Sequence, residues 1–157
     1  MISTALKRNY ATGAAANGVK TDMFTFFLLF FYTNIAGLEP ALAGLAILVA
    51  LCVDAITDPL MGTITDRTNS RFGRRHPFMF VSFIPLSIGY VLLFIPNPSW
   101  DVSQTGLFLW MVSFAILTRV GMTLFDIPHR GLGAELSKDY EERALIMSWR
   151  ELFGWLA

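Results

Sequence analysis

The sequence predicts an all-α fold that crosses a membrane several times, and three observations carry that prediction. Hydrophobic residues make up 54% of the 157 residues and charged ones 15%, with 14 Phe and a mean hydropathy of +0.53. Soluble domains of this length seldom show such a balance. The apolar residues gather into four long stretches and part of a fifth, and of the loops between them only alternate ones carry Lys or Arg.

The first span is expected over residues 10–36. Its first half carries Gly13, Ala14, Ala15, Ala16 and Gly18, small residues that permit close helix contact, and its second half is rich in Phe. Lys7-Arg8 could open a secretory signal, but Asn9 to Val19 is too polar and Gly-rich for the apolar core of one. An uncleaved helix is the reading. Gly37-Leu38-Glu39-Pro40 makes a tight turn, with Pro40 suited to the first turn of the next helix. The second span, 41–65, reaches about 37 Å as a helix, enough for a bilayer with some tilt.

Asp66 to His76 forms a loop with four arginines, and the third span, 77–95, is stopped by Pro96-Asn97-Pro98, with Trp100 as an interfacial anchor. The fourth span covers 103–132, and a polar segment, 135–143, follows it. A fifth starts near Ala144 and reaches only about 21 Å by Ala157, short of a full crossing. Residues 1–157 are therefore expected to be a partial N-terminal transmembrane bundle of a larger protein.

Charge placement orients the bundle. Lys7 and Arg8 precede the first span, the four arginines separate the second from the third, and Arg130, Lys138 and Arg143 surround the junction of the fourth and fifth. The loops near Glu39 and Asp101 carry no Lys or Arg. This is the positive-inside pattern of a multi-pass protein of the inner or plasma membrane with a cytoplasmic N-terminus.

Several function classes fall away. A formal net charge of zero gives no basic excess for a nucleic-acid partner. Cys52 is the sole cysteine, so there is no intrachain disulfide, and within its apolar run it reads as a small buried apolar residue. No nucleophile elbow, phosphate-binding glycine loop or metalloprotease histidine pair is present, so no enzyme is expected. His76 and His129 lack metal-ligand spacing and read as interfacial hydrogen-bonders.

The second span holds the most informative residues, Asp54 and Asp58. An ionisable side chain at bilayer depth is costly unless it faces a cavity or a counter-ion, so such a pair marks a functional site. Four residues apart, the two share a helix face. On the fourth span Arg119, Thr123, Asp126 and Arg130 recur at spacings of four, three and four, a polar stripe that calls for a cavity or a partner helix. Sodium favours hard oxygen ligands, which Asp54, Asp58, Asp126 and Thr123 could supply. Crowded carboxylates equally raise one another's proton affinity, so Na⁺, Li⁺ and H⁺ all stay open. No other cofactor is indicated.

The loop reads Gly62-x-x-x-Asp66-Arg67-x-x-x-Arg71-x-Gly73-Arg74-Arg75, where Gly62 lets another helix approach and Asp66 can pair with an arginine across a moving interface. It resembles the signature loop of the major facilitator superfamily. With Asp54-x-x-x-Asp58-Pro59-x-x-Gly62 before it and Asp126-Ile127-Pro128 after it, the chain resembles the glycoside-pentoside-hexuronide:cation symporters, the melibiose carrier's family. The likeness runs from Tyr32-Thr33-Asn34 through Asp139-x-x-x-Arg143.

That resemblance implies the N-terminal helices of a twelve-helix transporter, with remaining C-terminal helices completing an alternating-access cavity in a lipid bilayer. It places the cation site on Asp54, Asp58, Thr123 and Asp126. A sugar-like solute would be held by Arg119, Asp126 and Arg150, with Lys20 and Asp22 of the first span close by, and Gly62 to Arg75 would gate the cavity. The melibiose carrier's acidic sugar-binding residue on the first helix aligns with Gly18, and its aromatic residue after the Asp-Ile-Pro proline aligns with Arg130. Galactoside specificity is therefore not expected to carry over, and an acidic solute such as a hexuronide enters consideration. Two alternatives remain open at this stage: a lipid or lysolipid transporter of the same architecture, and a small membrane scaffold protein.

Overall fold

The structure is a computed structural model that describes residues 4–71, 73–96, 102–137 and 139–156, without the side chains of Thr4, Ala16, Asn17 and Lys20. Asn97, Pro98, Trp100, Asp101 and Lys138, singled out above, lie outside the described residues. The described segments are helical, and each helix follows from its local sequence.

Helix α1 (Thr4–Asp22) starts earlier than the apolar stretch and continues through a π-helical turn at Met23–Phe27, α2 (Leu28–Phe30) and a second π-helical turn at Phe31–Ile35. Phe24, Leu28 and Tyr32 recur every four residues and are all buried. A four-residue repeat drifts around a helix of 3.6 residues per turn, and the wider π turns keep it facing inward. Gly37, at φ +77°, lets the chain turn sharply, and Pro40 opens α3 (Pro40–Arg67) at a position where its missing N–H costs nothing. Ala43, Ala46 and Ala50 form a fully buried small-residue stripe on α3 that continues into Met61 and Thr65.

The third apolar stretch is one span in length but is broken into α4 (His76–Val81) and α5 (Phe83–Leu93) at Ser82. The Ser82 hydroxyl donates to the Met79 carbonyl at 2.6 Å, and Pro85 has no N–H to give the Val81 carbonyl, so the helix ladder is thinned at this point. Ser103 caps α6 (Gln104–Glu135) by accepting from the Gly106 N–H at 3.2 Å. At 32 residues α6 is about 48 Å long and outruns a hydrocarbon core of about 30 Å, so its ends project from the apolar zone. Helix α7 (Tyr140–Leu156) begins four residues ahead of Ala144, with Glu141 and Glu142 in the first turn, where acids favour helix initiation. Pro40–Arg67, His76–Leu93 and Gln104–Glu135 are each long and apolar enough to cross a membrane, and Met23–Ile35 is a shorter apolar helix.

Helix α6 is the hub, packing against α3, α4 and α5, with smaller contacts to α1 and α7, while α1 and α7 pack along each other. Its inward face, Leu107, Met111, Ala115 and Met122, meets the α3 alanines and the Phe24–Tyr32 stripe in one apolar core, whereas Cys52 of α3, expected to be buried, is exposed. Close approach depends on glycine. A Cβ on Gly121 would lie 2.8 Å from the Leu86 backbone nitrogen, and one on Gly18 would collide with the Gly154 carbonyl. The small residues of the first span thus serve the contact expected of them. Gly62 does not: nothing lies within 4 Å of where its Cβ would stand, so among the described residues it faces open space rather than a neighbouring helix.

Candidate ion and solute site

Two cross-links join α3 to α6. Arg119 donates to Asp54 at 2.7 Å, and Thr123 donates to Asp58 at 2.8 Å. The paired numbers rise together, so α3 and α6 run parallel, as two spans separated by one intervening span must. Asp54 and Arg119 sit near the midpoints of their helices, and their side chains are only 20% and 18% exposed. Pro59 and Pro128 follow closely on Asp58 and Asp126 and remove backbone donors there, loosening both helices beside the acids.

Asp126 is held from both sides. Arg130, one turn along α6, reaches one carboxylate oxygen at 2.6 Å, and Arg150 of α7 reaches the other at 2.9 Å. Arg150 is 6% exposed and also pairs with Glu151, while Arg130 is 58% exposed. Burial of this depth demands such partners, since an unpaired guanidinium in an apolar interior is strongly unfavourable.

These side chains line two cavities. One, of about 200 Å³, is walled by Asp54, Asp58, Arg119, Thr123, Asp126 and Arg130, with Thr21 at its edge. The four polar residues of the α6 stripe therefore open into a single chamber. The second, of about 280 Å³, lies between α1, α6 and α7 and takes Asp22, Arg130, Arg150 and Glu151, again with Thr21. Arg130 and Thr21 belong to both. Lys20 cannot be placed, because its side chain lies outside the described residues.

Among the described residues no three acidic, histidine or cysteine side chains converge on a metal position. The physical reason is that each carboxylate is drawn to its own donor: Asp54 to Arg119, Asp58 to Thr123, and Asp126 to Arg130 and Arg150.

The loop expected to act as a gate separates into two parts. Arg75 donates to Asp66 at 3.0 Å and to Glu135 at 2.8 Å, and Arg74 also pairs with Glu135. The Arg75 guanidinium rests where a Cβ on Gly131 would stand. Hydrogen bonding from Arg75, reinforced by Arg74, holds the Glu135 carboxyl below its ordinary pKa at the projecting end of α6. Arg67 and Arg71 are exposed, and Gly73 takes a positive φ of 89°.

Sequence reasoning missed several participants. Phe24 stacks under Arg119, with the guanidinium carbon 4.2 Å from the ring centroid. Glu135 carried no pairing signal, because its partners Arg74 and Arg75 lie in the loop between α3 and α4, and Glu151 pairs with its neighbour Arg150. His129 is not interfacial: it is buried, stacked between Tyr10 at 4.5 Å and Phe125 at 5.3 Å, and the Tyr10 hydroxyl donates to its carbonyl. Its flat ring fills the α1–α6 contact, where a Cβ on Gly13 would meet it.

Apolar spanning helices that enclose paired charges and a polar chamber at mid-depth define a polytopic membrane protein of the transporter class. Comparison with known proteins sharpens this, since residues 9–157 match the family described as MFS/sugar transport protein. The chain belongs to that family, within the major facilitator superfamily. It is similar to an uncharacterized symporter of Synechocystis sp., 37% identical over 94% of this chain and 28% of the relative. It is also similar to the inner membrane symporter YicJ of Escherichia coli, 34% identical over 96% and 32% of the two chains. A glucuronide carrier protein homolog of Escherichia coli is 32% identical over 87% and 30%. The chain thus spans about a third of the length of these curated relatives.

Proposed function

We propose that this chain forms the N-terminal part of a cation-coupled symporter for a sugar-like solute, a sugar, glycoside or hexuronide. The coupling ion, Na⁺, Li⁺ or H⁺, is taken up among Asp54, Asp58, Thr123 and Asp126. The solute is held by Arg119, Asp126 and Arg150, with Lys20 and Asp22 at its α1 side and Gly62 to Arg75 as the gate. In this reading the N-terminus and the arginine loop face the cytoplasm, and C-terminal helices complete the cavity.

The observation that carries this reading is the chamber shared by three carboxylates, a hydroxyl and two arginines between α3 and α6. Each acid is already engaged by a donor that an entering cation can replace. Replacement frees arginine donors, whose planar fork suits hydroxyl pairs and carboxylates, so cation uptake raises solute affinity. Linkage makes the effect reciprocal: bound solute raises cation affinity by the same factor.

The test is uptake by the full-length protein in vesicles, screening galactosides, pentosides, glucuronides and lysophosphatidylcholine with and without imposed Na⁺, Li⁺ and pH gradients. A cation gradient should stimulate uptake of a sugar-like solute, and Asp58→Cys should abolish that stimulation while membrane insertion stays intact. Unchanged coupling in Asp58→Cys would rule out the site. Gradient-driven uptake of lysophosphatidylcholine alone would move the reading to a lipid carrier.

A further inference from the structure

We infer that Phe24 is a positioning residue for the ion exchange at Asp54, supplying Arg119 with a second partner to lean on when a cation takes its carboxylate. The inference rests on the cation site proposed above. Arg119 meets two groups at once: the edge of its guanidinium donates to Asp54 at 2.7 Å, and its carbon lies 4.2 Å from the Phe24 ring centroid. The Arg119 Nε is buried and has no hydrogen-bond partner among the described residues, so the ring is the group against which that side of the fork is packed. Phe24 is itself 1% exposed and stands in the first π-helical turn, between Asp22 and α2.

The problem that this contact addresses is specific to a charge at mid-membrane depth. Asp54 and Arg119 neutralise each other there, and a cation that binds Asp54 leaves the arginine without its counter-charge. An aromatic face attracts a desolvated guanidinium through its quadrupole, and it does so without competing for the carboxylate. With the ring present, the arginine depends less on Asp54 and yields it more readily. Without the ring, Asp54 is the arginine's remaining partner, and the cation must compete against a tighter pair.

The test is isosteric. Phenylalanine at position 24 of the full-length protein is replaced by its mono-, di- and trifluorinated analogues, which weaken the ring quadrupole stepwise with little change of size, and by Leu, which removes it. The half-saturating concentration of the coupling cation is expected to climb with each fluorine and to rise about threefold to thirtyfold in Phe24→Leu, the range that a cation–π contact supports. Phe24→Tyr should restore the wild-type value. A flat fluorine series or a falling one overturns the inference. If Asp58→Cys abolishes coupling and the fluorine series is flat, only the role of Phe24 falls. If Asp58→Cys leaves coupling unchanged, the cation site falls and takes this inference with it.

Discussion

Thr123 of α6 donates its hydroxyl to Asp58 of α3 at 2.8 Å, one helical turn from the Arg119–Asp54 pair. The two bonds form successive rungs between parallel helices, one neutral donor and one charged donor on neighbouring acids. Their chemistry differs, so their loss should differ too.

Thr123→Val keeps the shape of the side chain and removes its oxygen. As a proposed cation ligand, Thr123 should raise the half-saturating cation concentration roughly ten- to hundredfold when replaced by Val, the range of a hydrogen bond to a charged group. Thr123→Ser should stay near wild type. Cation titrations of solute uptake check both, and equal values for Val and Ser would exclude a ligand role.

For the charged rung, Asp54→Asn or Arg119→Gln alone strands one charge at mid-depth and should cost about 3 kcal/mol of stability. The double replacement removes both charges and should recover most of that loss without restoring cation coupling. Thermal unfolding of the purified full-length protein in detergent, run as a double-mutant cycle, measures the recovery. Additive losses would show that the two side chains do not depend on each other.

Gly18→Ala should destabilise the α1–α7 contact by about 1–3 kcal/mol, because the new methyl must displace the Gly154 backbone rather than a flexible side chain. The readout is again the unfolding temperature. A neutral result would mean that α1 and α7 are not in contact in the full-length protein.

The Glu135 cluster predicts a pH dependence. Its carboxyl pKa is lowered on folding, chiefly by the Arg75 hydrogen bond. The stabilisation is therefore present above the ordinary glutamate value and lost as pH falls through the lowered folded value. Above the ordinary glutamate pKa the cluster should hold, and as pH falls through the lowered folded value it should release, a step that Glu135→Gln removes. Unfolding temperature against pH, wild type beside Glu135→Gln, tests the sign.

Much of the helical layout was legible because apolar length, glycine, proline and alternating basic loops act locally along the chain. Arg119, Thr123, Asp126 and Arg130 were legible as a group because they lie on one helix, where spacing alone puts them on a face. The cross-helix pairs were not: Thr123 and Asp58 are 65 residues apart, and nothing in either segment states which acid meets which donor. For the same reason the donor that engages each of the three acids around the chamber was not legible. Gly18 was legible as a contact residue, whereas Gly62 opens outward, since a small residue advertises room without saying who fills it. His129 read as an interfacial hydrogen-bonder because its partner Tyr10 is 119 residues away.

Opposite extremities of the bundle are tied by different kinds of bond. Gln104 accepts from the Glu39 N–H at 2.9 Å and donates to the Gly37 carbonyl at 2.8 Å, stitching the start of α6 to the turn before α3 with uncharged groups. The far extremity relies on Arg74, Arg75, Asp66 and Glu135, whose attraction is partly exposed and weakens as ionic strength rises. Brine therefore slackens one extremity and spares the other.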